Sequence, residues 1–162
     1  MGEVDTATRA LRRGLLWLGG FTLAGISVEL AVERHWTQPI MLLAWVAVVV
    51  AAGALILLAR NPSAQQVRIA RHLSTFVIAM AVVGIWRHVD GNFDAGSLDQ
   101  EYAATWDTLS LAHRWWLAIS KTVGPSPPLA PGALAQAAFC ALLATMRHPA
   151  LSVGSRDRIT TS

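Results

Sequence analysis

The sequence is poor in charge. Asp, Glu, Lys and Arg make up only 14% of its 162 residues, against roughly 25% in a typical soluble domain. That deficit excludes a disordered chain, a coiled coil and an ordinary soluble globule. Lysine is nearly missing: of 13 basic residues, all but Lys121 are Arg, a usage that fits a GC-rich bacterial genome. The basic residues form no block of like charge, so no nucleic-acid-binding arm or stripe is expected. Cysteine is limited to Cys140, which allows neither an internal disulfide nor a cysteine zinc site. Within its apolar run it reads as a small buried hydrophobe. The common catalytic motifs are missing too. There is no phosphate-binding glycine loop and no H-E-x-x-H. Gly19-Gly20 has no strand before it. Asp107, Ser110 and His113 lie close in sequence, but no nucleophile-elbow pattern surrounds Ser110.

What is present is hydrophobic sequence, 54% of the chain. A spanning helix needs about 20 mostly apolar residues, because the hydrocarbon core is about 30 Å thick. Four segments compete for that role, at about 14–33, 39–59, 66–87 and 129–147. The first follows Arg9, Arg12 and Arg13. It contains Glu29 and lacks a following A-x-A-like site, so it reads as a retained span rather than a signal peptide. The second has no charge, opens on Pro39 and stops at Asn61-Pro62. The third has an uncharged stretch of only Leu73–Trp86, about 21 Å as helix. It reaches full length by taking in Arg68 and Arg71, whose long side chains snorkel. Gly91-Asn92 reads as a turn beyond it. The fourth emerges from the Pro-rich stretch 123–132, which redirects the chain.

Between the third and fourth spans, residues 88–128 begin acidic, with Asp90, Asp94, Asp99, Glu101 and Asp107. They continue as an amphipathic stretch, 108–122, with the pattern of a helix lying in the membrane interface. The fold expected is all-α: a polytopic membrane protein whose single domain, 14–148, is a four-transmembrane-helix bundle with an extracytoplasmic interfacial helix between helices 3 and 4. Residues 1–13 form a cytoplasmic N-terminal segment and 149–162 a cytoplasmic tail, expected to be mobile. Gly20 with Ala24, Ala47 with Ala51, and Ala137 with Ala141 have the small-xxx-small spacing of close helix contacts.

The positive-inside rule orients these spans. Arg9, Arg12, Arg13, Arg60, Arg68, Arg71, Arg147, Arg156 and Arg158 fall on one side, which becomes the cytoplasmic face of a bacterial inner membrane, with both termini inside. Arg34, Arg87, Arg114 and Lys121 fall on the other. Trp36, Trp86, Trp106, Trp115 and Trp116 are interfacial anchors on that outer side.

An ionisable residue within a span needs a reason. Glu29 lies about one turn below the outer interface, with Glu33 on the same face. Arg87, His88 and Asp90 end the third span, and Gln136 lies in the outer part of the fourth. Glu29, Glu33, Arg87, His88, Asp90 and Gln136 are therefore candidates for an outer polar cluster, with a Glu29–Arg87 ion pair as its simplest form. A divalent metal held by Glu29, Glu33, His88 and Asp90 is a second reading. The Glu-x-x-His spacing of bundle di-metal sites is missing. Haem held by His35 with His88, and by His72 with His148, is a third.

No cofactor is expected on balance. The function expected is a non-enzymatic accessory, assembly or scaffold component that presents its outward loop to a membrane or extracytoplasmic protein. The alternative is a metal- or haem-binding membrane redox protein. The lipid bilayer is the certain partner of either.

Overall fold

The computed structural model of the chain describes residues 2–151, without the side chains of residues 2–5 and 130. The rest of the expected tail, with Arg156 and Arg158, lies outside the described residues. All regular structure among the described residues is helical. The helices are α1 (Gly2–Val32), α2 (Leu42–Ala59), α3 (Ala64–Ala95), α4 (Leu111–Ile119) and α5 (Ala130–Ala144), with 3-10 turns at Pro39–Met41, Gly96–Leu98 and Trp106–Thr108. Three stretches are long and apolar enough to cross a membrane: Thr6–Val32, Pro39–Ala59 and Ala64–Leu98.

The helix ends show why these boundaries fall where they do. α1 closes with the His35 N–H donating to the Leu30 carbonyl at 2.9 Å and the Arg34 N–H to Ala31 at 3.1 Å. Arg34, at φ 53°, takes the left-handed position that glycine usually fills. α4 ends the same way around Lys121, at φ 58°, with the Thr122 N–H donating to Leu117 at 2.9 Å. α3 opens on a reciprocal box: the Ser63 N–H donates to Gln66 Oε1 at 2.8 Å, and the Gln66 N–H to Ser63 Oγ at 3.3 Å. That satisfies two donors that the first turn otherwise leaves unpaired.

Three elements differ from the sequence expectation. The third span does not stop at 87. α3 continues to Ala95, about 48 Å of helix. Gly91 and Asn92 lie inside it rather than in a turn. Asn92 tolerates the helix because its side chain bonds to chain outside the helix, and a Cβ at Gly91 would meet nothing within 4 Å. The fourth apolar segment forms only 15 helical residues, about 22 Å, short of the hydrocarbon core by itself. It tightens into i→i+3 bonds, Thr145 N–H to Leu142 and Met146 N–H to Leu143, both 3.0 Å, and ends at Arg147, at φ 46°. The amphipathic helix is also shorter than 108–122. It begins after Ser110, whose hydroxyl accepts from the His113 N–H, and ends at Ile119.

The chain divides into two compact units, Met1–Ala79 with Ala133–Ser162, and Met80–Gly132. The core of the first is made of small and branched side chains: Leu23, Ile26, Ala47, Ala51, Ala54, Val67, Ala70, Val77, Ala137 and Ala141 among them. α1 packs on α2 within it. A Cβ at Gly19 would stand 3.1 Å from Leu55 Cδ2 and 3.2 Å from the Ala137 carbonyl, so only glycine lets α1 come this close. Of the small-residue pairs, Ala47/Ala51 and Ala137/Ala141 are buried, whereas Gly20 and Ala24 are exposed. The second unit has its own core of Val89, Trp106, Leu117, Ala118 and Val123, with Phe93, Tyr102 and Trp115 packed against it.

Candidate functional site

In the second unit the last turns of α3 carry Trp86, Val89, Asn92, Phe93 and Gly96. The rings form a continuous stack. Trp115 lies 4.3 Å from Phe93 and 5.5 Å from Trp86 between ring centroids, and the Trp106 edge meets Phe93 at 5.6 Å. Trp106 fits because Gly96 has no side chain; a Cβ there would fall 2.2 Å from the indole. The Arg114 guanidinium lies 5.9 Å over the Phe93 ring and 3.8 Å from Asp107. Its Nε is buried with no hydrogen-bond partner among the described residues.

Asn92 ties the Pro-rich segment down. Its Nδ2 donates to the Ser126 carbonyl at 2.7 Å and the Ala118 carbonyl at 3.2 Å, and its Oδ1 accepts from the Ser126 N–H at 2.9 Å. Gly124, at φ +80°, passes so close that a Cβ would sit 2.4 Å from Asn92 Oδ1. His88 adds a second tie, donating from Nδ1 to the Pro127 carbonyl at 2.9 Å. The sequence signal for this latch was there, a buried-face amide on a helix facing a Gly-Pro-rich stretch. It was masked by the turn preference of Gly-Asn.

The residues expected to form an outer polar cluster are placed as follows. Arg87 is bonded to Asp90, one turn on, at 3.3 Å. Glu33 lies 3.8 Å from His35 Nδ1. Glu29 is exposed on α1 and has no ion-pair partner among the described residues. Gln136 is exposed on α5, and His72 is exposed on α3. Among the described residues, no three His, Cys, Asp or Glu side chains come together as a metal site. Of the aromatic anchors, Trp86 and Trp116 are exposed, whereas Trp106 is buried. Trp36 sits 6.4 Å from Trp45, a ring the sequence reading overlooked. The Trp45 indole N–H donates to the His35 carbonyl at 3.0 Å, so it pins the α1–α2 connection.

The first unit holds a different polar constellation, at the end of α5. Arg12 of α1 donates from Nε to the Ala144 carbonyl at 3.0 Å and reaches the carbonyls of Met146 at 3.4 Å and Arg147 at 3.3 Å. Arg71 of α3 donates to Thr145 Oγ1 and to its carbonyl, both at 3.2 Å. Thr145 is fully buried and passes its own proton to the Leu142 carbonyl at 2.6 Å. Two guanidinium groups thus neutralise the carbonyls that a helix leaves unpaired at its negative end. His148 lies beside them. Partial burial first, and the Arg12 charge second, hold its imidazole below the usual histidine pKa. Its Nδ1 accepts the Ala150 N–H at 3.3 Å, which needs that nitrogen unprotonated.

These features define an all-helical protein with three helices long and apolar enough to span a membrane. No protein family, curated protein or solved structure matches the chain.

Proposed function

We propose that the chain is a multi-pass protein of a bacterial inner membrane, acting without catalysis as an accessory, assembly or scaffold component. Its outward surface is built from residues 80–132. The observation that carries this reading is the separate core of that unit. A loop that merely joins two spans has no need of four stacked or edge-packed rings and a buried amide latch. A stretch that presents a fixed surface does, because rigidity before contact lowers the entropy lost on binding. On this reading α4 lies along the outer interface, with the exposed Leu111, Trp116 and Ile119 toward the headgroups. The polar stretch 99–110 faces outward.

The inside orientation is supported by the convergence of Arg12 and Arg71 on Thr145. The start of α1, the start of α3 and the end of α5 meet there, as four crossings with both termini cytoplasmic require. The short α5 then crosses together with the flanking residues up to 129 and beyond 144.

The test is replacement of 97–128 by a short flexible linker in the full chain. Membrane insertion is expected to persist, while a protein that co-purifies with the natural chain in mild detergent is lost. Purification of the natural chain alone, with no second component in stoichiometric amount, overturns the scaffold reading.

A further inference from the structure

α1 has an inward face and an outward one. Gly19, Leu23 and Ile26 are buried. On the outer side Gly14, Leu18, Phe21, Gly25, Glu29 and Val32 are all exposed. Steps of three and four residues keep these six in one stripe along the helix. Two features of the stripe are unfavourable in lipid. A Cβ at Gly14 or Gly25 would meet nothing within 4 Å, so the chain's own packing does not require glycine, and each glycine costs a helix about 0.5–1 kcal/mol relative to alanine. Glu29 lies 17 residues beyond Arg12, about 25 Å along the helix and inside a hydrocarbon core of about 30 Å. A carboxyl group at that depth needs a partner, and its own chain supplies none among the described residues. A second helix against the stripe removes both difficulties. Glycines let two backbones approach, and an interhelical hydrogen bond satisfies the carboxyl group.

We propose that this stripe pairs with the same stripe of a second copy of the chain, about a two-fold axis along the membrane normal. The proposal rests on the membrane reading above. Such an axis keeps both copies in the same orientation and sets Glu29 opposite its own counterpart at equal depth. A carboxyl group is complementary to itself there: with one proton shared between the pair, one group gives the hydrogen bond and the other takes it. Gly25, one turn below on the same face, opens the space for that approach. A helix of another protein carrying a basic side chain is the competing occupant, and the test separates the two.

The experiment uses the full chain with Cys140→Ala in native membranes. Retention through an alkaline carbonate wash is checked first. A chain that washes out overturns the membrane reading itself, whereas a chain that is retained but does not pair overturns only the pairing. Single cysteines are then placed by Leu18→Cys and Val32→Cys on the stripe, and by Gly20→Cys on the far side of the exposed surface. Oxidation is expected to give a covalent dimer at positions 18 and 32 and none at 20. In lipid nanodiscs Glu29→Gln, which keeps a donor and an acceptor, is expected to pair like the natural chain. Glu29→Leu is expected to weaken pairing about three- to thirtyfold, the range for one interhelical hydrogen bond. Equal cross-linking at all three positions, undiminished pairing of Glu29→Leu, or cross-linking of the stripe to a different protein overturns the proposal.

Discussion

Asn92 and Gly124 depend on each other. The amide makes three hydrogen bonds to the backbone of residues 118 and 126, and the glycine leaves room for it. At about 1 kcal/mol net for each bond, Asn92→Ala is expected to cost about 2–4 kcal/mol, because two carbonyls and one N–H lose their partner in a buried place. Thermal unfolding in detergent, followed by tryptophan fluorescence, measures this. A loss well under 1 kcal/mol would mean that apolar contacts alone hold the Pro-rich segment. Adjacent glycines in α1 give a second test at this scale. Gly19→Leu drives a side chain into Leu55 and the Ala137 carbonyl and is expected to destabilise by several kcal/mol, as overpacking against backbone does. Gly20→Ala meets open space and is expected to gain up to about 1 kcal/mol. The spacing rule favoured Gly20 with Ala24. Periodicity alone does not fix which of two neighbouring glycines faces inward; the packing partners do.

At the scale of the element, helix ends explain most of the boundary differences. α1 and α4 stop on left-handed Arg34 and Lys121, where a sequence reading looks for glycine. Lys121→Gly is expected to stabilise the chain by about 0.5–1 kcal/mol, since it removes the strain of a side chain in that region. The end of α5 is held by Arg12 and Arg71. Arg12→Gln is expected to cost about 1–2 kcal/mol by loss of a charged donor to three carbonyls, read as a lower unfolding midpoint in detergent. His148 makes that end sensitive to pH. Its folded pKa lies below the ordinary value near 6.5, so the unfolded chain takes up the proton first. The stability from the neutral imidazole is complete above about pH 6.5 and drains away as pH falls toward the folded pKa. Acidification from pH 8 to 5 is expected to lower the unfolding midpoint more in the natural chain than in His148→Gln; equal slopes would remove His148 from the account.

At the scale of the whole molecule, orientation is the prediction that matters. With Cys140→Ala as background, a cysteine at Ser63 is expected to react with an impermeant reagent only from the cytoplasmic side, and one at Ser97 only from the outside. Reaction of both from one side overturns the proposed topology. The arginines of the inner face show how one residue type serves two ends. As a group they set orientation through the bias of the membrane. Individually, Arg12 and Arg71 are structural, because they join the starts of two helices to the end of a third.

The sequence by itself determined that the chain is helical and apolar enough to cross a membrane, because the length of an uncharged run and the scarcity of charge are one-dimensional facts. It also placed most of the aromatic and polar groups that matter. Only the tertiary structure decided that α3 runs through Gly91-Asn92, that α5 is short, and that residues 80–132 build a core of their own. Each of these turns on a partner far along the chain: Ser126 for Asn92, Arg12 and Arg71 for Thr145, Trp106 for Gly96. Local propensity and periodicity carry no information about such partners, because the energy that overrides them comes from hydrogen bonds and packing formed only on folding.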